Sequence, residues 1–225
     1  FFATVGGMGL TGHILEVEFQ MTRIPTPWIW QESERVPDVT TYVAKLREAA
    51  DAGWPMTVGW IDCLSTGASM GRGILIKGRW AHAHEAPPRP PKEPLRLTMP
   101  FVAPEFLLGP LSVKAFNFGF YWKHFQAKRS AIVDPYAFFY PLDFVRDWNL
   151  AYGKRGFTQY QCVLPQSAGP EVAKRFFEVL TARGGASFLC VIKDCGAQGA
   201  GLLSLPMPGI SVALDIAVRD DTQAL

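Results

Sequence analysis

The sequence predicts an α+β fold in which an antiparallel sheet carries helices on one face. In the second half, a strand is followed by a helix and two further strands, an order that suits such a sheet. The order strand–helix–strand also occurs twice, over residues 28–64 and 157–193, which indicates two similar halves. With 225 residues, of which 48% are hydrophobic and 19% charged, the chain can bury a sizeable core and is globular rather than disordered.

A glycine-rich stretch opens the chain and precedes a predicted strand over residues 14–22. Its pattern Gly7-x-Gly9-x-x-Gly12 matches a dinucleotide-binding motif, which opens a helix in a βαβ unit. The residues that follow alternate between apolar and charged, which is the period of a strand, so we reject the βαβ interpretation. Glycine also serves where backbone approaches a ligand closely, and an ordinary tight turn is the alternative.

Pro25 and Pro27 mark a domain boundary, because proline resists a central strand position. Residues 1–25 are predicted to end one domain, and residues 26–225 to form most of a second. Both ends of the sequence are expected to be cuts through a longer protein, since Phe1 leads directly into the glycine-rich stretch.

The other elements follow from periodicity and from end signals. Asp38 is a suitable N-cap, and Gly53 a suitable C-terminal residue, for the first helix. The predicted elements are, in chain order, a strand from residue 28, a helix over 39–52, strands over 55–64 and 71–81, an exposed proline-rich loop over 85–94, a helix from 142 to 152, a strand over 157–164, a helix over 169–182, and strands over 187–193 and 210–218.

Two helices are expected to pack their apolar faces inward. The residues of these faces are Val39, Tyr42, Val43, Leu46 and Ala50 in the first helix, and Phe176, Phe177, Val179 and Leu180 in the last. Eight aromatic residues lie between residues 101 and 125. We expect them to pack in the core, and the alternative is that they line an apolar groove.

Composition excludes several classes of function. The net charge is only +2 and no dense Lys/Arg run occurs, so no nucleic-acid partner is expected. No apolar stretch is long enough to span a membrane, and we expect a cytoplasmic protein, with membrane association as an alternative. The four cysteines form neither a disulfide framework nor a zinc site, and no metal is expected.

Two amides are predicted to share one face of a strand. Gln159 and Gln161 are two residues apart on the strand over 157–164, so their side chains point to the same side. Lys193 ends the next strand of the same unit and adds a positive charge. The alternative is a solvated strand face with an exposed lysine.

Several motifs together resemble the FAD-linked oxidases of the vanillyl-alcohol-oxidase type, and most closely the decaprenylphosphoryl-β-D-ribose 2'-oxidases. The resemblance is strongest around residues 138–161. The matching motifs are Gly6-Gly7-Met8-Gly9-Leu10-Thr11-Gly12 followed by Ile14-Leu15, Trp60-Ile61-Asp62, the Gly-Arg pairs at 71–72 and 78–79, Pro141-Leu142-Asp143, Trp148-Asn149-x-x-Tyr152-Gly153, and Gly156-Phe157-x-Gln159-Tyr160-Gln161.

The resemblance implies a flavoenzyme that oxidises a hydroxyl-bearing carbon of a sugar or alcohol by hydride transfer to FAD. The substrate of that family is lipid-linked. Backbone at Thr11, Gly12 and Ile14 would contact FAD, and Gln159, Gln161 and Lys193 would line the substrate pocket over the flavin.

The resemblance also sets the roles of the two predicted domains. Residues 1–25 would be the last part of an FAD domain joined in cis, and residues 26–225 a truncated substrate domain that is inactive by itself. A short-chain reductase acting on the keto product is an implied partner. No catalytic residue or metal site is implied within the chain.

The chain departs from the family pattern at five positions. His13 replaces an aliphatic residue next to the expected cofactor contact. In the expected pocket, Ser211 replaces an Asn, Ala213 a Cys, Cys195 a Phe and Phe139 a phenol, so the polyprenyl-phosphoryl sugar need not be the substrate. The competing hypothesis is a non-enzymatic ligand-binding α+β domain with an aromatic groove.

Overall fold

The computed structural model describes residues 1–92, 96–169, 171–185, 187–220 and 222, and within these ranges the chain forms nine strands and four α-helices. The strands are β1 (Ile29–Val36), β2 (Met56–Ile61), β3 (Gly73–Trp80), β4 (Leu97–Thr98), β5 (Lys128–Val133), β6 (Val145–Arg146), β7 (Phe157–Pro165), β8 (Cys190–Cys195) and β9 (Gly209–Ala217). The helices are α1 (Val39–Asp51), α2 (Pro110–Lys123), α3 (Pro135–Phe139) and α4 (Val172–Ala182).

Seven of these strands form one sheet in the order β5-β1-β3-β2-β8-β9-β7, and every neighbouring pair is antiparallel. The predicted α+β class with an antiparallel sheet is therefore confirmed. Helices α1 and α4 pack against each other over one face, as expected. Helix α2, which the periodicity did not predict, lies over part of the opposite face, where Tyr121 contacts Trp60 and Ile74.

Helix α1 begins and ends where the sequence predicts. The Asp38 side chain accepts a hydrogen bond from the Thr41 N–H at 2.8 Å, which satisfies one of the free donors of the first turn. Gly53 takes a positive φ of 72° just after the helix. On its inner face, the Tyr42 hydroxyl donates to the Ile74 carbonyl at 2.6 Å, and a Cβ at Gly59 would collide with that hydroxyl.

The core lies between this helix layer and the sheet. Its largest fully buried members are Tyr42, Leu46, Ile61, Leu75, Phe177, Ile192 and Leu214. Two predicted inward positions were wrong. Ala49 rather than Ala50 is buried in α1, and Val179 in α4 is 49% exposed, because it stands about 200° around the helix from buried Phe177.

The predicted strand over residues 14–22 was wrong. This segment has no strand assignment, its apolar side chains are exposed, and its backbone forms no ladder with any described strand. Alternating residues favour an extended backbone, but a strand exists only where a neighbour pairs with its peptide groups. The sheet begins at Ile29, and the domain boundary at Pro25 stays a prediction.

The predicted helix from 142 to 152 was also wrong. Residues 144–146 extend and pair with 97–99, through Leu97 N–H to the Phe144 carbonyl at 2.9 Å and Met99 N–H to the Arg146 carbonyl at 3.0 Å. Asp147 then takes a left-handed conformation with φ of 56°, which interrupts any continuous α-helix. A short 3₁₀ helix over Trp148–Tyr152 follows and ends at Gly153, the predicted stop.

Most of the aromatic residues between 101 and 125 do not pack in the core, contrary to expectation. Tyr121 is buried, but α2 contacts the sheet on one side only, so rings on its other side stay exposed. The exposed rings are Phe101, Phe106, Phe116, Phe118, Trp122 and Phe125. Among the described residues, no helix is both long and apolar enough to cross a bilayer.

Candidate functional site

A group of polar side chains lies on the sheet face opposite α1 and α4, across β7, β9 and β8. We call this group the polar row, and its members are Gln159, Gln161, Lys193, Ser211 and Asp215. The strand register pairs Gln159 with Asp215 and Lys193 with Ser211, which places them on one face. The intervening residues Ile210, Val212 and Leu214 point the other way, into the core.

The polar row has a buried base and an exposed top. Ser211 and Asp215 are 4% and 2% exposed, whereas Gln159, Gln161 and Lys193 are exposed. The Gln159 amide donates from Nε2 to Asp215 Oδ1 at 2.8 Å. The Gln161 amide donates from Nε2 to Ser211 Oγ at 3.1 Å. Each glutamine is thus hydrogen-bonded to a buried neighbour and lies on the open side of the sheet.

Asp215 lies beside an aromatic cluster that shields it from water. Tyr152 stacks on Phe157 with ring centroids 4.6 Å apart, and Phe188 contacts Tyr152 from the side. Burial raises the pKa of Asp215, while the hydrogen bond from Gln159 and the interaction with the Tyr152 hydroxyl oppose that rise. Burial likewise raises the pKa of Tyr152, so the phenol stays protonated and can act as a donor.

Lys193 is the cation of the polar row. Its Cα lies directly across from that of Ser211, whose hydroxyl accepts a hydrogen bond from Gln161, so Lys193 and Gln161 leave the same face of the sheet on either side of Ser211. Within the described ranges, no carboxylate lies at salt-bridge distance from Lys193. Its charge is therefore available to a ligand on the open face.

Aromatic residues form a wall beside the polar row. Trp60 lies on the same sheet face, since it pairs with Val191. Its indole Nε1 donates to the Phe188 carbonyl at 3.0 Å and its ring lies 4.7 Å from that of Phe120. Phe116 meets the Phe188 ring edge-on at 5.3 Å. The wall supplies apolar surface where α2 meets the open part of the sheet.

A buried ion pair anchors α2, and hence the wall, to the sheet. Asp62 is 1% exposed, and its Oδ2 accepts from Arg72 Nη2 at 3.0 Å. Its Oδ1 accepts from Asn117 Nδ2 of α2 at 3.0 Å. The Arg72 guanidinium also stacks 4.8 Å from the centre of the Tyr121 ring. One carboxylate therefore links β2, β3 and the helix.

The start of the glycine-rich stretch, ahead of the predicted cofactor residues, packs on the loop between β8 and β9. The Leu202 N–H donates to the Phe2 carbonyl at 3.0 Å, and a Cβ at Gly6 would lie 3.2 Å from the Leu203 backbone. The close approach is thus at Gly6 rather than at Gly9 or Gly12. In the described part of the chain, Thr11, Gly12 and Ile14 form no hydrogen bond with the polar row.

The backbone around Gly12 is nevertheless open to a ligand. Gly12 has a positive φ of 136°, and nothing lies within 4 Å of where its Cβ would stand. Ile14 is 65% exposed. A large cofactor could approach peptide groups here. The described residues contain no group of three His, Cys, Asp or Glu side chains able to hold a metal ion.

Gln159 and Gln161 share one face, as their spacing predicts, and Lys193 lies on the same face, while the substrate-binding role of all three stays a prediction. Asp215 was not predicted from the sequence, and Asp62 was predicted only as part of a motif. A signal for Asp215 was present, because it is the one charged residue within the apolar run from Ile210 to Val218. A charge within a buried strand needs partners, and such residues cluster at functional sites.

The fold and the polar row define an α+β domain with one polar, solvent-open sheet face, and no protein-family model matches the chain. The chain is 30% identical over 225 residues to the decaprenylphosphoryl-beta-D-ribose oxidase of Mycolicibacterium smegmatis. It is 27% identical over 232 residues to an uncharacterized protein in the mprA 5' region of Streptomyces coelicolor. Both matches cover 97% of the chain, but only 48% and 62% of the respective relatives.

Proposed function

We propose that the chain forms the substrate-facing part of an FAD-dependent oxidoreductase that acts on a hydroxyl-bearing carbon of a sugar or alcohol. The observation that carries this proposal is the similarity to the M. smegmatis oxidase along 97% of the chain. The chain spans about half the length of that relative, so the flavin phosphate site is assigned to a further domain joined in cis.

The hydrogen bonding of the polar row supports a hydroxylated ligand. Gln159 and Gln161 donate to buried acceptors, which leaves their carbonyl oxygens as acceptors on the open side. Sugar and alcohol hydroxyls are the matching donors. Lys193 supplies a positive charge for a hydroxyl or an anionic group beside them. The substrate would thus be oriented over the sheet by two amides and one ammonium.

FAD, when bound, supplies the chemistry by accepting a hydride from the carbon that bears the hydroxyl. The exposed backbone at Thr11, Gly12 and Ile14 would hold part of the cofactor, consistent with the open space around Gly12. The chain itself would position the substrate through the polar row. The aromatic wall would exclude water from one side of the reacting carbon.

We further propose a lipid-linked sugar as the substrate class, since the relative is named for a decaprenylphosphoryl ribose. The small residues Ser211 and Ala213 and the thiol of Cys195 lie on the same sheet face as Lys193. They leave more room than the Asn, Cys and Phe expected from the family pattern, so a bulkier or differently substituted sugar would fit. A short-chain reductase would act on the keto product.

Substitution in the polar row tests the proposal in the full-length protein. A hydrogen bond that involves a charged group contributes roughly 1.5–3 kcal/mol, and a neutral one about 0.5–1.5 kcal/mol. Lys193→Ala should therefore lower kcat/KM by about 10- to 100-fold and Gln161→Ala by up to about tenfold, with flavin content unchanged. Steady-state kinetics with a short-chain prenylphosphoryl-β-D-ribose would measure this.

Two matched controls separate the site from general surface effects. Lys174 is an exposed lysine on α4, and Thr158 lies on β7 but points to the opposite face from Gln159. Lys174→Ala and Thr158→Ala should turn over like the wild type. Wild-type kinetics in both Lys193→Ala and Gln161→Ala would move the pocket elsewhere.

One observation favours a second candidate, a non-enzymatic ligand-binding domain. The exposed rings of α2, including Phe118 and Trp122, offer an apolar surface of the kind that binds ligands or partners. Full-length protein purified without flavin, and unable to bind it when supplied, would favour this candidate over the oxidoreductase.

A further inference from the structure

We propose that Asp215 is a positioning residue, whose buried carboxylate locks the Gln159 amide with its carbonyl oxygen toward the open face, so that the site selects a ligand hydroxyl as a donor. This inference rests on the proposed function. It adds a residue that touches no ligand but sets which hydrogen-bonding group Gln159 presents.

The first step is the geometry of the pair. Asp215 and Gln159 are direct cross-strand partners on β9 and β7, and Gln159 Nε2 lies 2.8 Å from Asp215 Oδ1. An ionised carboxylate can only accept hydrogen bonds, so Gln159 must turn its NH₂ group toward it. The amide oxygen then has to point away from Asp215, toward the exposed side.

The second step is that the Asp215 backbone is itself fixed. The Ser187 hydroxyl lies 2.7 Å from the Asp215 carbonyl oxygen and 2.7 Å from the Leu189 carbonyl oxygen. The Asp215 N–H donates to the Leu189 carbonyl at 3.2 Å. The Tyr152 and Phe188 rings close the aromatic side. The backbone that carries the carboxylate is therefore held in place, and the carboxylate itself is held by its hydrogen bond with Gln159.

Within the described part of the chain, the buried carboxylate of Asp215 is not paired with a basic side chain. Among the described ranges, no Lys or Arg lies at salt-bridge distance from Asp215, although the side chain is 2% exposed. Burial without a cation is costly, and here raises the pKa of the carboxyl. Neutral donors from Gln159 and Tyr152 are left to satisfy it. Because no cation in the described ranges competes for the carboxylate, the Gln159 amide is one of its two hydrogen-bond donors.

Gln161 differs from Gln159 in the kind of group to which it is hydrogen-bonded. Its partner is the Ser211 hydroxyl at 3.1 Å, which can either donate or accept. The Gln161 amide can therefore rotate by 180° and keep a hydrogen bond. Gln159 cannot do so while Asp215 is ionised. The polar row thus combines one fixed acceptor with one adaptable amide.

A double-mutant cycle in the full-length protein tests whether Asp215 acts through Gln159. The variants are Asp215→Asn, whose amide can donate as well as accept, Gln159→Met, which keeps size but removes the amide, and the double variant. The probe is farnesylphosphoryl-β-D-ribose, with Kd measured by calorimetry. We expect each single change to weaken binding by about tenfold, as for one lost hydrogen bond.

The double variant decides the outcome. If Asp215 acts through Gln159, the double variant binds only about tenfold more weakly than the wild type, because the second change removes nothing further. Additive loss, or wild-type affinity in Asp215→Asn, would overturn the inference while leaving the proposed function intact. A wild-type protein that binds neither this probe nor flavin would overturn both.

A second measurement covers the case in which Asp215→Asn does not fold. Protonation of Asp215 would free Gln159, so wild-type Kd should rise as the pH falls toward the raised pKa of that carboxyl. Tyr152 faces Asp215, and Cys190 interacts with it from the core side of the sheet; burial raises the pKa of both groups, so both stay neutral in acid. Lys193 is common to both proteins, so Gln159→Met should show no such dependence. A flat wild-type profile would contradict the inference.

Discussion

At the scale of single residues, Asp215 gives the clearest dependence of stability on pH. Burial raises its pKa above the ordinary value of an aspartate, so the folded state binds its proton more tightly than the unfolded state does. Stability from this group is therefore greatest below the unfolded pKa, and is lost as pH rises through the raised folded pKa. Asp215→Asn carries no such penalty.

The urea midpoint of Asp215→Asn, relative to the wild type, should consequently rise as pH increases through this window and then level off. A constant offset between the two proteins would reflect lost hydrogen bonds alone. A relative midpoint that increases toward low pH would contradict the assigned pKa direction.

The sequence predicted the positions of some residues of the polar row but not of others. The shared face of Gln159 and Gln161 follows from their spacing on a strand, and Lys193 joins them through register alone. Asp215 could not be paired with Gln159 in advance, because cross-strand partners depend on which strands become neighbours. The strand order β8-β9-β7 brings together residues 56 positions apart in sequence.

At the scale of elements, the Asp62–Arg72 pair should be the main anchor of α2. Removing Asp62 would leave the Arg72 guanidinium, whose side chain is only 18% exposed, without its carboxylate. Breaking a buried pair on one side typically costs about 3–5 kcal/mol. Asp62→Ala should therefore lower the urea midpoint strongly and loosen the aromatic wall.

The surface pair Arg155–Asp220 is the matched control. Its side chains are 44% and 99% exposed, and exposed pairs contribute about 0–1 kcal/mol. Arg155→Ala should leave the urea midpoint near that of the wild type. Equal losses in Asp62→Ala and Arg155→Ala would show that Asp62 does not anchor the helix.

One helix and one failed helix prediction show when apolar periodicity is a reliable signal. Residues 142–152 have apolar spacing typical of a helix, but 144–146 pair with 97–99 instead, and Asp147 takes a left-handed φ. Such long-range pairing overrides local propensity. Helix α1 was predictable because its N-cap, its apolar face and its terminal glycine all agree.

At the scale of the whole molecule, the two faces of the seven-stranded sheet have different surroundings. One face packs under α1 and α4 and holds the core. The other is covered by α2 at one side and carries the polar row at the other. The antiparallel α+β class was predictable from the order of strands and helices. The sequence could not predict which half of the second face stays open. That depends on where α2 packs, and α2 lacks the apolar spacing that predicts a helix.

We propose that the open face of the sheet presents a hydroxylated substrate to a bound flavin. Anaerobic single-turnover reduction of the flavin in the full-length protein by a short-chain prenylphosphoryl-β-D-ribose tests it most directly. We predict that the flavin absorption band bleaches in the wild type, and that Lys193→Ala bleaches about 10- to 100-fold more slowly at subsaturating substrate, with the same flavin content. Protein that holds no flavin, or that bleaches equally fast with and without Lys193, would contradict the claim.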